Sequence, residues 1–161
     1  MKIESHRFGV VEVSEDRVVR FVGPVIGFPE VDRFAIIEDL ESAPLVWLQA
    51  VGAPQVLFPA LDAAWVPAAT GVDLTDEEVA ALGIERAEDA RLLFILTLNA
   101  NPRDITINLR APVVWNVRRA IGMQVVLQDT ELPVSYPIGA VAGERRRNKE
   151  VVCARPDAPQ R

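Results

Sequence analysis

The sequence predicts a mainly β fold: a compact antiparallel β-barrel-like single domain with one or two short helices. Short apolar runs broken by glycine, proline and aspartate recur along the chain, which is typical of many short strands. Hydrophobic residues make up 50% of the 161 residues, enough to build a core without a disulfide or a metal. Only one segment carries a strong helix-start signal.

The first third of the chain is predicted to form short strands and one apolar loop. Gly9 separates the first two apolar runs, which indicates a bent strand or a hairpin. Residues 23–29, GPVIGFP, are too rich in glycine and proline for regular structure and predict a rigid apolar loop. Pro59 is expected to place the end of its strand at an edge or a bulge. The strands predicted here are residues 3–8, 10–13, 17–22, 33–38, 45–51 and 55–61.

A helix is predicted to begin after Thr75. The pattern Thr75-Asp-Glu-Glu78 is a capping box, in which the Thr75 hydroxyl and the Glu78 side chain bond each other's backbone N–H groups. Gly83 is placed to end this helix in a left-handed conformation, with Leu82 facing inward. A second acidic turn at residues 85–89 is predicted to be a short helix at most.

The second half of the domain returns to strands. Residues 91–98 form a nearly continuous apolar run, as expected of a strand that is buried on both faces. Residues 104–110 alternate apolar and polar side chains, which predicts a regular strand with Thr106, Asn108 and Arg110 on one face. The last strong strand is expected at residues 123–128, with an edge strand at most at residues 132–138.

Charge divides the chain into two parts. Residues 1–143 hold 11 Lys/Arg and 20 Asp/Glu, a net charge of −9, and form the predicted domain. Residues 144–161 hold 6 Lys/Arg and 3 Asp/Glu, a net charge of +3, and read as a basic disordered tail. The acidic body argues against direct nucleic-acid binding and suits a basic protein partner, although acidity also simply aids solubility.

Few residues suit catalysis or metal binding. One histidine and one cysteine leave no zinc site, and no phosphate loop or nucleophile elbow occurs. The adjacent acids Asp76-Glu77-Glu78, Glu38-Asp39 and Glu88-Asp89 keep a carboxylate-based hydrolase as an alternative. Trp65, in a loop that Pro67 bounds, either anchors a partner or pins that loop to the core.

The location predicted from sequence is cytosolic. The opening MKIESH puts charge where a signal peptide is apolar, and no stretch approaches 18 uncharged apolar residues. We therefore expect no membrane-spanning helix.

Several motifs, taken in order, resemble the flagellar assembly factor FliW family. The stretch INLRAPVVWN at residues 107–116 and GMQVVL at residues 122–127 resemble the family pattern N-L-x-A-P-[IV]-x-[IV]-N followed by G-x-Q-[VI]-[VI]-L. The resemblance covers about residues 5–140, but Trp115 stands where the family usually has a small aliphatic residue. Phe58-Pro59-Ala60 also replaces an unbroken apolar strand, and the basic tail is extra. The other matching segments are residues 8–9, 21–28, 47–51, 54–62, 74–78 and 82–83.

The resemblance implies a non-enzymatic protein without a cofactor. FliW proteins bind the RNA-binding translational regulator CsrA, relieve its repression of flagellin translation, and bind the C-terminal region of flagellin as a competing partner. The inhibition of CsrA in that family is described as allosteric. The alternatives that the residues leave open are a small β-barrel ligand-binding protein or weak hydrolase, and an oligonucleotide-binding barrel.

Two groups of residues are candidates for partner contact. Amide and guanidinium side chains suit an extended protein segment, because they bond backbone N–H and C=O groups. Acidic side chains suit electrostatic contact with a basic partner. The candidates are Asp76, Glu77, Glu78, Glu88, Asp89, Asn108, Arg110 and Asn116.

Overall fold

The computed structural model describes residues 1–66, 72–129 and 131–139. Within these ranges the chain forms eleven strands and one α-helix, and five 3-10 turns link some of them. The helix α1 spans Asp76–Leu82. The strands are β1 Lys2–Ser5, β2 Gly9–Glu12, β3 Val18–Phe21, β4 Arg33–Glu38, β5 Val46–Ala50, β6 Leu57–Asp62, β7 Ala90–Thr97, β8 Thr106–Ile107, β9 Val113–Asn116, β10 Ile121–Gln124 and β11 Tyr136–Pro137.

Seven strands close into a barrel, which confirms the predicted fold class. The strand order is β7-β6-β5-β4-β3-β10-β9, and β9 pairs again with β7 to complete the ring. All of these pairs are antiparallel except β3 with β10, where Arg20 lies opposite Ile121 and Phe21 opposite Gly122. Strands β8 and β11 extend from β7 outside the ring.

Strands β4 and β5 are buried on both faces because the N-terminal hairpin covers their outer side. Phe34 and Leu48 point into the barrel, whereas Ile37 and Trp47 pack outward against Ile3. Of the two predicted alternatives the chain forms the hairpin: β1–β2 pairs Ser5 with Gly9, so the turn lies at residues 6–8, where the first strand was expected to continue. The outer face of the barrel therefore carries a second apolar layer.

The helix lies against the far side of the barrel. Leu82 is fully buried there with Val114 of β9 and Val125. The capping box at Thr75 is present, and Gly83 adopts φ 63° as the left-handed residue that ends the helix. The acidic turn after the helix is one 3-10 turn, Ala87–Asp89.

Several strand predictions need correction. The strand predicted at residues 123–128 instead spans Ile121–Gln124. Pro59 lies inside β6, opposite Trp47 of β5, rather than at the end of an edge strand. The regular strand predicted at residues 104–110 is reduced to Thr106–Ile107, and a 3-10 turn at Pro102–Asp104 precedes it. The basic tail at residues 144–161 lies outside the described residues.

Candidate functional site

Asn108 ends strand β8 by bonding the backbone that follows it. Its Oδ1 accepts hydrogen bonds from the N–H groups of Arg110 at 3.0 Å and Ala111 at 3.1 Å. These N–H groups are thereby withdrawn from strand pairing, as asparagine side chains do in turns. The single strand face predicted for Thr106, Asn108 and Arg110 is therefore wrong.

Asn108 and Arg110 instead line a groove with an exposed apolar rim. We call it the Pro59 groove, after the β6 residue next to Phe58, which lines it; its volume is about 440 Å³. The apolar side chains exposed on it are Ile26, Val126 and Val134. The Arg110 Nε donates to the Leu132 carbonyl at 2.9 Å, and this bond holds the guanidinium in place.

The groove forms where strands β6 and β7 separate. Their pairing runs from Asp62–Leu93 to Ala60–Ile95 and does not continue to Phe58 and Thr97. Pro59 has no N–H to donate to β7, and the β7 residues beyond Ile95 pair only on the opposite edge, where Thr97 lies beside Thr106 of β8. Phe58 and Thr97 consequently face the groove on either side of the gap.

The acidic candidates divide by exposure. Asp76, Glu77 and Glu88 are exposed, although Glu88 lies 3.9 Å from Arg86. Glu78 accepts the Thr75 N–H at 2.9 Å as part of the capping box. Asp89 is buried at 5% exposure, with Arg118 at 3.7 Å. Three of these five carboxylates thus present their charge to solvent.

Asn116 is 1% exposed and joins three segments. Its Nδ2 donates to the carbonyls of Leu82 at 2.9 Å and Gly83 at 3.0 Å. Its Oδ1 accepts the N–H groups of Arg118 at 3.0 Å and Arg119 at 3.3 Å. We therefore assign Asn116 a role in positioning the helix end rather than a place on a surface.

Sequence reasoning missed a second concave surface, which we call the Leu40 cleft. It has a volume of about 400 Å³ and lies between the 3-10 turn Leu40–Ser42 and Trp65. Arg91 lies in it, with Nη2 at 2.9 Å from Glu38 Oε1 and Nε at 2.6 Å from Asp62 Oδ2. The signal that could have found it is an isolated leucine between acids in the stretch EDLES, outside any strand.

The ion pairs in the cleft shift the pKa of two groups. Burial acts to raise the pKa of Glu38, but the hydrogen bonds and charges of Arg91 and Arg17 outweigh burial and hold this pKa below its ordinary value. Burial acts to lower the pKa of Arg91, and its bonds to Asp62 and Glu38 raise this pKa above its ordinary value. The Arg91 guanidinium therefore forms ion pairs with two carboxylates of the cleft, those of Glu38 and Asp62.

Among the described residues, no cluster of three or more His, Cys, Asp or Glu side chains has the arrangement of a metal site. No helix in the same part of the chain is long and apolar enough to cross a membrane.

Comparisons with known proteins agree with each other. A family model described as "FliW protein" matches residues 2–138. The flagellar assembly factor FliW of Syntrophus aciditrophicus is 32% identical over 138 residues, which cover 86% of this chain and 87% of that protein. The corresponding protein of Geotalea uraniireducens is 34% identical over 137 residues, covering 85% and 83%. A crystal structure of the flagellar assembly factor FliW has a TM-score of 0.77 and 32% identity, covering 85% of this chain and 96% of that one.

Proposed function

Because the chain belongs to the FliW family of flagellar assembly factors, we propose that it acts by binding two proteins in turn. The first is a CsrA-type RNA-binding regulator, whose repression of flagellin translation is relieved on binding. The second is the C-terminal region of flagellin, which competes for the same protein in a chaperone-like role. The family match over residues 2–138 carries this proposal. We place this exchange in the cytoplasm, where translation occurs.

Surface charge supports the first partner. Asp76 and Glu77 lie in the first turn of α1, and Glu88 lies in the 3-10 turn that follows the helix. All three carboxylates are exposed. RNA-binding proteins carry clustered Lys and Arg for phosphate contacts, so an acidic surface attracts them over several ångströms. Such steering raises the association rate and weakens as salt is added.

The Pro59 groove supports the second partner. Its rim exposes Ile26, Val126 and Val134, and apolar side chains gathered at one concave surface suit a protein segment with apolar side chains of its own. Arg110 and Asn108, predicted as contact residues from the sequence, lie in the same groove. We propose that this groove takes a segment of flagellin.

Calorimetric titration tests the proposal directly. The protein is titrated with a CsrA-type regulator and with flagellin from the same cell, and each complex is then challenged with the other partner. We expect both to bind and each to displace the other. Binding to flagellin alone would reduce the function to that of a flagellin chaperone, and binding to neither by the folded protein would overturn the proposal.

Charge reversal tests the acidic surface separately. The triple variant Asp76→Lys, Glu77→Lys and Glu88→Lys should bind the regulator more weakly at low salt, while its flagellin affinity stays within about threefold of the original. The control is Asp104→Lys, an exposed acid in the 3-10 turn Pro102–Asp104. Equal regulator affinity in the triple variant and the control would remove these acids from the interface.

A further inference from the structure

Leu40 is the most exposed large hydrophobic side chain among the described residues. Its exposure is 94%, on a 3-10 turn between Asp39 and Glu41. A lone exposed leucine is unremarkable on a protein surface. This one, however, stands at the edge of a cleft that also contains Trp65, whose exposure is 41%.

The turn that carries Leu40 is fixed to the core. Asp39 accepts hydrogen bonds from the Glu41 N–H at 3.4 Å and from the Ser42 hydroxyl at 3.1 Å. The same Ser42 hydroxyl accepts the indole N–H of Trp47 at 2.9 Å, and Trp47 is buried in the outer apolar layer. Because these bonds hold the turn in place, a partner that binds Leu40 loses little entropy in ordering it.

The cleft beside the turn offers apolar surface to an incoming side chain. Leu45 and Val46 line it together with Leu40 and Trp65. Tryptophan and leucine around a concavity of about 400 Å³ give one large apolar side chain room to be enclosed.

The charge around the cleft is unevenly compensated. Glu38, Asp39, Asp62 and Arg91 line the cleft, Glu41 lies on the turn beside it, and Arg17 is bonded to Glu38. Together these four carboxylates and two guanidiniums carry a net charge of −2. Both guanidiniums are bonded to Glu38, and Arg91 also to Asp62. Among the described residues no Lys or Arg nitrogen forms an ion pair with Asp39 or Glu41. The two uncompensated carboxylates therefore flank the exposed leucine.

We infer that the Leu40 cleft docks a basic amphipathic segment of the CsrA-type regulator, an inference that rests on the proposed function. An apolar side chain of that segment packs between Leu40 and Trp65, and neighbouring Lys or Arg side chains pair with Asp39 and Glu41. The regulator, rather than flagellin, is assigned to this cleft because binding RNA requires clustered Lys and Arg.

The test measures regulator affinity for single variants of the full chain. Leu40→Ala should weaken regulator binding about tenfold, the loss expected for a well-enclosed apolar contact. Glu41→Gln should weaken it about threefold at low salt and less at high salt, as for a charge pair at the rim of an interface. Flagellin affinity should remain unchanged in both variants.

Two matched controls lie at the other end of β7. Leu98→Ala removes an exposed leucine, and Asp104→Asn neutralises an exposed acid. Leu98 is seven residues beyond Arg91 along the chain, roughly 23 Å at the rise of a strand. Neither control should change regulator affinity.

The outcomes separate the two proposals. Wild-type protein that binds neither partner contradicts the proposed function. Wild-type protein that binds the regulator, together with a Leu40→Ala variant that binds it equally well, overturns the docking inference alone. A loss confined to flagellin in the Leu40 and Glu41 variants overturns the assignment of the cleft to the regulator. Circular dichroism of each variant establishes that it is folded.

Discussion

At the scale of single residues, the Asn116 side chain joins segments that are far apart in the sequence. Its four hydrogen bonds join the end of β9 to the carbonyls of Leu82, the last residue of α1, and of Gly83 after it, and to the N–H groups of the turn that follows β9. The amide carries its donor NH₂ group and its acceptor oxygen on two separate atoms. An ionised carboxylate only accepts, and a hydroxyl donates and accepts through a single oxygen. The helix end and the strand end are consequently held in one fixed relation.

We predict that Asn116→Ala lowers the free energy of unfolding by about 2–4 kcal/mol, because it leaves buried carbonyl and N–H groups without partners. Urea denaturation measures the loss. Asn101→Ala is the control, since the Asn101 side chain accepts the Arg103 N–H at 3.1 Å in an exposed turn. That control should cost about 1 kcal/mol or less. Equal losses in the two variants would contradict the role assigned to Asn116.

We predict that Glu38 makes stability depend on pH. Its pKa is lower in the folded protein than in the unfolded chain, because Arg91 and Arg17 outweigh the effect of burial. The ion pairs therefore stabilise the fold above the unfolded pKa of about 4.3, and this contribution is lost as the pH falls through the folded pKa.

Glu38→Gln tests this dependence. Because the Glu38 side chain is 42% exposed and screened by solvent, the variant should lose less than about 1 kcal/mol of unfolding free energy at pH 7. The difference from wild type should be smaller at pH 3, because below the unfolded pKa of about 4.3 the unfolded chain binds a proton that folded Glu38 takes up less readily. Denaturation at the two pH values measures it, and an equal difference at both would exclude the charge as its cause.

The two asparagines also show what sequence cannot supply at this scale. Both follow strand residues, and both were candidates for partner contact. Asn108 bonds N–H groups two and three residues onward, which is a local pattern and could have been predicted. Asn116 bonds the Leu82 carbonyl 34 residues away, and no feature of the sequence near position 116 indicates that neighbour.

At the scale of elements, the helix was predictable because its signals are local. Thr75, Glu78 and Gly83 lie within nine residues of each other, and their side chain and backbone interactions involve only this segment. The strands were found by their apolar patterns for the same reason. The neighbouring strand with which each strand pairs could not be predicted, because strand pairing depends on contacts between segments far apart in the sequence.

We predict that Thr75→Ala lowers the free energy of unfolding by about 1 kcal/mol, since the Glu78 N–H loses the hydroxyl at 3.2 Å. Glu78→Gln is the control, because glutamine also completes a capping box and should change stability by only a few tenths of a kcal/mol. Thermal unfolding followed by circular dichroism measures both. A larger loss for Glu78→Gln than for Thr75→Ala would show that the charge at the helix start matters more than the cap.

The predicted strand boundaries were wrong where a single residue changed the strand pairing. Pro59 correctly indicated an interruption, but the interruption affects only the β7 side of β6, and the β5 side pairs through it. Residues 104–110 have the alternation of a strand, yet the Asn108 side chain takes the N–H groups that a longer strand would use. Alternation alone does not reveal such competition.

At the scale of the whole molecule, the barrel depends on close contact at Gly122. A Cβ on this residue would lie 2.8 Å from Val19 Cγ1 and 2.9 Å from Phe21 Cε1. Both neighbours belong to β3, the parallel partner of β10, and both are buried in the barrel interior. The seam between β3 and β10 therefore has no room for a larger residue.

We predict that Gly122→Ala lowers the free energy of unfolding by about 2–3 kcal/mol, through overpacking of the barrel interior. Gly139→Ala is the matched control, because no heavy atom lies within 4 Å of the position of its Cβ. The control should stay within about 0.5 kcal/mol of wild type. If both variants unfold at the same urea concentration, the seam is more adaptable than its contacts indicate.

The parallel seam also has a consequence for how the protein is made. Strand β3 ends at Phe21 and its partner β10 begins at Ile121, so 99 residues separate the two strands that the seam joins. Local hairpins such as β4–β5 can assemble while synthesis continues, but the ring has an open side until β10 has left the ribosome. During that interval the edge of β3 is available to other chains. Slowing translation before codon 121 should lengthen this exposure, and slowing it after β10 has emerged should not.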